Sequence, residues 1–410
     1  MSKKSSQSFP KCLKFLRNSS ENTVKSYFVA IGKYEEFHDK SMEELVMEAL
    51  SEQTDKVAPH LLKVIERVED FQEHLINQGL VHGSISLYVG RITTIYRKNR
   101  VVLPYLEPLN PKRTKRHPAI EFKDILTKDE LRRVLPLMRL PIRARSMAMI
   151  QGGLSNEECE HLETRTFIDE LYKYHQCDND VDALKWLSDE DNPVIWVTKL
   201  IRVKTGKPYY ALLGAEAVNT IAQAKLYERD LPKNNGEIPS KLLDTNKMSM
   251  NNITRRLNEK LELGKAGGMH RLRPHSLRKF HATYISGSAL SYEENSLITN
   301  AEIDEMQGRG KTSVQDTYIK TNPLRQKVLY AKVMNNVSLW HQYDYTIIDD
   351  DVLISVVDPT GENRKLKKEV EVMKKQLQQK KEASEKVQQL RKDLGEDTFK
   401  ELIGEILNAS

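Results

Sequence analysis

Residues 193–214, PVIWVTKLIRVKTGKPYYALLG, depart from the helical pattern that dominates the rest of the chain. β-Branched and aromatic residues alternate there on both sides of a KTGK turn, a pattern typical of a β-hairpin. In most other segments apolar residues recur every three or four positions, which is the spacing of one helix face. The sequence therefore predicts a mainly α fold with one small antiparallel sheet.

The N-terminal part of the chain predicts a helical domain over residues 19–107, preceded by a flexible N-terminus at residues 1–18. Ser20 is a candidate helix N-cap, and Tyr27, Ile31 and other apolar residues recur after it at helical spacing. Three more helical segments follow, in SMEELVMEAL, HLLKVIERVEDFQEHLINQG and SISLYVGRITTIYRKNRV. Four helices of this length can enclose a core of their own.

Residues 108–118 predict a basic linker, because prolines there flank a run of positive side chains. The chain as a whole has a net charge of +6 and a pI of about 8.9, which favours a nucleic acid as partner. The candidate DNA contacts of the linker are Lys112, Arg113, Lys115 and Arg116. An ordinary solvated basic linker is the alternative.

A larger, mainly helical domain is predicted over residues 119–340, followed by a linker at 341–361 and a helical tail at 362–408. Apolar residues of the tail follow a 4-3-4 spacing: Leu366, Val370, Met373 and Leu377. Lys and Glu fill most of the remaining positions, which favours a short coiled coil. A single exposed amphipathic helix is the alternative.

Composition excludes several classes of protein. No run of about 18 apolar residues occurs, so we expect no membrane span, and the N-terminus MSKKSSQSFPKCLKF has no apolar core typical of a secretory signal. The three cysteines form no CxxC pair, and the histidines match no ligand motif. The sequence thus predicts a cytoplasmic protein with neither metal nor disulfide.

Three short motifs in the larger domain carry chemistry. VKTGK places Lys204 at the hairpin tip, HSLRKFHAT places His275 and Arg278 one helical turn apart, and MQGRGKTSVQDTY places Tyr318 nine residues after Arg309. Each motif alone has an ordinary explanation: a surface pair for His275 and Arg278, and a packing role for Tyr318. Their order and spacing together are more specific.

In these residues the sequence resembles the tyrosine recombinase family, the phage-integrase-type site-specific recombinases. HSLRKFHAT is similar to the family's H-x-L-R motif, VKTGK to its lysine hairpin, and GRGKTSVQDTY to its glycine turn and nucleophilic tyrosine. QGGLSNEECEHL resembles the family's TGLRxSELxxL helix, and Thr23 with Tyr27 resembles the opening of its core-binding domain. The resemblance covers residues 20–335, and an extra C-terminal tail is similar to that of archaeal integrases.

The resemblance implies that the chain cuts and rejoins double-stranded DNA through a 3′-phosphotyrosine on Tyr318. Attack on a phosphodiester builds up negative charge, which fixed cations and donors stabilise. Arg278 would bind the phosphate, His275 would donate or accept a proton, and Lys204 would protonate the departing 5′ oxygen. The resemblance further implies that the chain needs no cofactor and is a homo-oligomer that forms a tetramer on DNA. It also implies that the chain is associated with DNA in the cytoplasm and takes part in DNA integration by a mobile genetic element.

Two positions depart from the family pattern. Ser155 stands where the family has its first arginine, and a hydroxyl cannot replace a guanidinium fork. Arg309 stands where the family has His or Trp. In one interpretation the enzyme is active with a rebuilt site of Arg278, Arg309 and a neighbour such as Arg145 or Arg165.

In another interpretation the chain is a weakened recombinase-fold protein that binds DNA and acts as a regulatory or architectural factor, with the coiled tail as its means of oligomerisation. A type IB topoisomerase, which uses similar chemistry to relax supercoils, is a further alternative. An assay for DNA strand cleavage distinguishes the two enzymes, which cut DNA, from the binding protein, which does not. Relaxation of supercoiled DNA without sequence preference would favour the topoisomerase over the recombinase.

Overall fold

The computed structural model describes residues 10–54, 58, 62–103, 105–286, 298–309, 322–349 and 352–356. The chain divides into two compact units, Met1–Ile120 and Glu121–Ser410, here called the N-terminal and C-terminal units. Among the described residues the fold is mainly α with small antiparallel sheets, which confirms the predicted fold class. The predicted coiled coil of the tail lies outside the described residues.

The N-terminal unit contains four α-helices: α1 (Glu21–His38), α2 (Met42–Thr54), α3 (Lys63–Asn77) and α4 (His82–Lys98). The Ser20 side chain accepts a hydrogen bond from the Thr23 amide at 3.2 Å and so caps α1. In the core between the helices, the hydroxyls of Tyr34 and Tyr96 are 3.1 Å apart and satisfy each other. The helical pattern of the sequence is thus realised in a separate core.

The prediction of a flexible N-terminus at residues 1–18 is wrong for its second half. Lys11–Asn18 forms a 3-10 helix that buries Cys12, Leu13 and Leu16 in the core of the N-terminal unit. Apolar residues three apart share one face of a 3-10 helix. The free energy gained by burying them exceeds the conformational entropy that the chain loses when this segment becomes ordered.

The basic linker is also ordered within the N-terminal unit. Asn110 caps a 3-10 turn at Pro111–Arg113, and the His82 amide donates to the Lys115 carbonyl at 2.8 Å at the start of α4. Arg113 forms an ion pair of 2.5 Å with Glu73. These contacts fix the backbone from which the linker cations extend.

The C-terminal unit contains nine α-helices and six strands among its described residues. The helices are α5 (Lys128–Val134), α6 (Leu140–Gly152), α7 (Thr164–His175), α8 (Asp180–Leu187), α9 (Ala215–Arg229), α10 (Lys247–Lys260), α11 (Pro274–Ile285), α12 (Asn300–Met306) and α13 (Pro323–Val333). The strands are β1 (Trp196–Ile201), β2 (Pro208–Leu213), β3 (Lys265–Ala266), β4 (Met269–His270), β5 (Tyr345–Asp349) and β6 (Val352–Val356).

Helix α6 is the centre of the C-terminal unit. It is buried on nearly every side, with α9 and α11 packed against it, and its buried polar side chains include Arg145 and Gln151. At its end Gly153 adopts a left-handed conformation with φ +60°. Burial of α6 therefore fixes the chain at residues 153–158, where the candidate site begins.

The predicted hairpin is present as β1 and β2, which pair antiparallel from Trp196 opposite Leu213 to Ile201 opposite Pro208. Two further two-stranded sheets, β3–β4 and β5–β6, were not predicted. The β5–β6 pair lies within residues 341–361, so the prediction of a linker there is wrong for this part. Tyr345 and Ile347 of β5 are buried in the main core, which gives the segment a reason to fold back.

Glu216 on α9 holds the backbone that leads into β5. Its buried carboxylate accepts hydrogen bonds from the amides of Leu339, Trp340 and His341 at 2.7–3.1 Å. It also accepts from the Gln151 side chain at 3.0 Å. The carboxylate thereby joins α6, α9 and the segment before β5.

We expect Glu216→Gln to destabilise the C-terminal unit by about 1–3 kcal/mol, because an amide offers one acceptor oxygen to several donors and leaves a buried N–H unsatisfied. Tryptophan fluorescence during urea unfolding reports on this unit alone, since all three tryptophans lie in it. Glu190→Gln is the matched control, because Glu190 contacts the exposed His341 side chain at 3.3 Å; equal unfolding midpoints for the two variants would contradict the anchoring role.

Within the part of the chain that the structure describes, no helix is long and apolar enough to cross a membrane.

Candidate functional site

Arg278 is the centre of the candidate site. It lies on α11, which starts with Pro274 at its first position, where the missing amide hydrogen is no loss. Its side chain is 6% exposed and forms a 3.1 Å ion pair with Glu158, which is 3% exposed. A buried guanidinium beside a buried carboxylate is held in one orientation.

Ser155 holds Glu158 in place through two hydrogen bonds. The Ser155 amide donates to Glu158 Oε2 at 2.7 Å, and the Glu158 amide donates to Ser155 Oγ at 3.2 Å. The same Oε2 atom accepts from Arg278, so position 155 borders the buried ion pair. The structure therefore places Ser155 beside Arg278, with a hydroxyl and no positive charge.

The carbonyl oxygen of Gln307 is the point on which two arginines converge. Arg278 Nη2 donates to it, and so does Arg202 Nη1 from the β1–β2 turn. Gln307 ends α12, and Gly308 follows it with φ +61°. A Cβ atom at position 308 would lie 2.8 Å from the Tyr209 ring, so glycine is required for this approach.

Arg202 was missed by the sequence analysis, which singled out Lys204 two residues further along the same turn. Lys204 lies at the exposed tip of the turn, and no contact joins it to Arg278 or Gln307 in the described residues. Arg202 instead points back into the domain. Arg202 differs from Lys204 in its contact with Gln307, a residue 105 positions later in the chain. A contact between residues so far apart in sequence leaves no local signal.

Arg309 lies one residue beyond the glycine turn. Its side chain is 42% exposed, and Nη1 lies 3.4 Å from Asp304. Its charge lowers the pKa values of Arg278 and His275, which places it electrostatically near both. Arg202, Arg278 and Arg309 are called the arginine cluster from here on.

The arginine cluster carries more positive than negative charge. Burial lowers the pKa of Arg278 first; Arg202 and Arg309 lower it further, while Glu158 opposes them. Three guanidiniums face two carboxylates, Glu158 and Asp304. A surplus cation in a partly buried place is the arrangement that suits a bound anion.

His275 lies one turn before Arg278 on α11 and is partly exposed. Partial burial, followed by the charges of Lys279 and Arg273, lowers its pKa below the usual value for histidine. The ring is therefore mainly neutral at pH 7, with one nitrogen free of a proton. The unprotonated nitrogen of the ring can accept a proton.

His281 is a second histidine of α11, and its side chain is fully buried. Burial lowers its pKa to about 4, and its Nδ1 atom lies 3.1 Å from the Ile150 carbonyl. A Cβ at Gly153 would lie 2.6 Å from its ring. His281 is thus a neutral packing residue that requires glycine at position 153.

Arg145 and Arg165 do not join the arginine cluster. Arg145 is fully buried, and its guanidinium donates to the Asn156 side chain at 2.8 Å and to the Thr245 carbonyl. Arg165 is exposed and pairs with Asp169 and Asp180. Arg145 holds loops together and Arg165 lies on the surface, so neither contributes to the arginine cluster.

Tyr318 lies outside the described residues. The structure describes the chain up to Arg309 and again from Asn322, at the start of α13. The described residues contain no group of His, Cys, Asp and Glu side chains that could hold a metal ion.

No protein-family model matches the chain, and no curated protein matches it. Solved structures do match. One is the XerH site-specific recombinase bound to its difH substrate in a pre-cleavage complex, with 14% identity and a TM-score of 0.43 over 77% of this chain and 80% of that one. Another is the XerA recombinase, with 17% identity and a TM-score of 0.31 over 75% and 90% of the two chains. These similarities are distant, and the function is inferred from the chain's own residues.

Proposed function

We propose that the chain is a tyrosine-type site-specific DNA recombinase, which cuts and rejoins double-stranded DNA through a 3′-phosphotyrosine intermediate. The observation that supports this most is the convergence of Arg202 and Arg278 on one carbonyl oxygen, immediately before the segment that contains Tyr318. A carbonyl oxygen is a hydrogen-bond acceptor, as a phosphate oxygen is. The Gln307 carbonyl therefore marks where these donors can meet an acceptor.

The cleavage step follows from the residues in their proposed roles. The phenolic oxygen of Tyr318 attacks phosphorus, its proton passes to the neutral His275 ring, and the bond to the 5′ oxygen breaks. Lys204 gives that oxygen a proton, so a 5′-hydroxyl leaves. Arg278 donates to the non-bridging oxygens, where charge develops. Attack of a 5′-hydroxyl on the phosphotyrosine reverses the step and joins a strand.

A second candidate function is favoured by Ser155. Loss of one donor to the developing charge costs about 100- to 1,000-fold in rate, so a chain with serine at this position could be a weakened recombinase that serves as a DNA-binding factor. Both functions require double-stranded DNA as partner. A homo-oligomer on DNA and a role in the integration of a mobile element extend the first proposal.

The linker cations are proposed to bind DNA phosphates. We expect replacement of Lys112, Arg113, Lys115 and Arg116 by alanine to weaken duplex binding and to flatten the plot of log affinity against log salt, by about one unit for each phosphate that is no longer neutralised. Arg113→Ala alone should change the slope least, because Arg113 already pairs with Glu73. An unchanged slope in the quadruple variant would exclude the linker from the DNA interface.

Covalent capture tests the proposed function. Duplexes that bind the protein are first enriched from a randomised pool, then supplied with a nick just 3′ of each candidate cleavage position. Cleavage releases a short fragment with a 5′-hydroxyl, so rejoining is prevented and the protein stays attached to the DNA. The proposal expects a band of protein-linked DNA on a denaturing gel; intact duplex binding without any such band would favour the binding protein.

A further inference from the structure

The arginine cluster contains a guanidinium whose position is set by the turn that carries it. The Arg202 amide donates to the Lys207 carbonyl at 2.8 Å. The Arg202 carbonyl accepts from the amides of Thr205 and Gly206 at 3.2 and 2.8 Å. Gly206 has φ +68°, a conformation that favours glycine. The backbone of Arg202 is therefore fixed on both sides, and its side chain is aimed at Gln307.

Position 155 and Arg202 lie on opposite sides of Arg278. Glu158 Oε2 accepts from the Ser155 amide and from Arg278 Nη1, whereas the Gln307 carbonyl accepts from Arg278 Nη2 and Arg202 Nη1. Each side of the Arg278 guanidinium thus has one neighbour. A cation is absent on the Ser155 side and present on the Arg202 side.

We propose that Arg202 is a catalytic residue of this chain, and that it supplies the phosphate-binding guanidinium that position 155 lacks. The proposal rests on the proposed function, since the phosphate is that of the DNA strand to be cut. When the phosphate binds, its non-bridging oxygens take the place of the Gln307 carbonyl as the shared acceptor of Arg202 and Arg278. Two guanidiniums then share the charge of the transition state.

A purely structural role for Arg202 makes different predictions. In that case its hydrogen bond to Gln307 only ties the β1–β2 turn to the end of α12. Its removal would lower stability, and a guanidinium placed elsewhere at the site would restore nothing. Rescue from position 155 therefore separates the two roles.

The test uses the full chain and the enriched, nicked duplex. We expect Arg202→Ala to slow formation of the covalent adduct in a single turnover by about 100- to 1,000-fold. Adding Ser155→Arg to this variant should recover at least about tenfold, because an arginine at position 155 lies beside the same buried ion pair. Ser155→Gln in the same background is the matched control: it is long and polar but uncharged, and it should recover nothing.

A second readout does not depend on cleavage. Inorganic phosphate is added to wild type, to Arg202→Ala and to Lys185→Ala, which removes an exposed cation paired with Asp182. The phosphate-dependent rise in melting temperature should be smaller in Arg202→Ala than in the other two proteins.

The outcomes separate this inference from the proposed function. If the adduct forms equally fast in wild type and in Arg202→Ala, the proposed role of Arg202 is wrong and the recombinase proposal stands. The same holds if Ser155→Arg and Ser155→Gln repair the Arg202→Ala defect equally, or if neither repairs it. If no protein forms an adduct but phosphate stabilises Arg202→Ala less than the other two proteins, the recombinase proposal is wrong. Arg202 then remains a ligand for anions. Equal phosphate stabilisation in all three, without an adduct, overturns both.

Discussion

Tyr318→Phe is expected to abolish the covalent protein–DNA adduct, with a loss of at least about a thousandfold in single-turnover yield. Phenylalanine keeps the ring and removes only the hydroxyl, so the proposed nucleophile is lost with the smallest change in the shape of the side chain. Duplex affinity should stay within a few-fold of wild type, because DNA binding depends mainly on contacts to phosphates.

Tyr172→Phe is the matched control for this variant, since Tyr172 is an exposed tyrosine of α7 in the same unit. It should form the adduct at the wild-type rate. If Tyr318→Phe also forms the adduct, another residue is the nucleophile and the proposed role of Tyr318 is wrong.

Arg278→Ala is expected to be the most destabilising single change at the candidate site, by about 3–5 kcal/mol, because it leaves the Glu158 carboxylate buried without its partner. Tryptophan fluorescence during urea unfolding measures this in the C-terminal unit. Adduct formation should fall as well, since the variant also removes the proposed central donor to the phosphate.

The double variant Arg278→Ala/Glu158→Ala separates the two effects. Removing both charges should cost less than the sum of the single changes, with a coupling of about 0.5–3 kcal/mol between the two residues. Activity should not return with stability, because no guanidinium is restored. Additive losses of stability would contradict the buried ion pair.

The regular elements of this fold could be predicted because their signals are local. Ser20 before an apolar helical pattern indicates the start of α1, and β-branched residues around KTGK indicate the β1–β2 hairpin. The 3-10 helix at Lys11–Asn18 and the β5–β6 pair were missed for the opposite reason. Both are short segments that are ordered by burial against helices elsewhere in the chain.

The candidate site shows the same limit. The motif resemblance singled out His275 and Arg278, which lie one turn apart on α11, and it also singled out Ser155 as a position without a guanidinium. The role of Arg202 could not be found in this way, because it depends on the contact of the β1–β2 turn with Gln307. The motif resemblance favoured Lys204, the more exposed cation of the same turn.

Arg145 illustrates why a nearby arginine in the sequence is a poor guide to function. It lies ten residues before Ser155 and carries the guanidinium that the family resemblance would place at position 155. Complete burial among carbonyl oxygens gives it a structural role, since each donor is already engaged by a loop. Burial and partners, rather than residue type, decide which cation can meet a ligand.

The most direct test of the central claim is to identify the atom of the protein that becomes joined to DNA. The captured adduct is digested with protease and nuclease, and the peptide that carries a nucleotide is sequenced by mass spectrometry. The proposal predicts one modified peptide, in which Tyr318 is linked to a 3′-phosphate and the released strand ends in a 5′-hydroxyl. A nucleotide on any other residue, or a linkage to a 5′-phosphate, would contradict it.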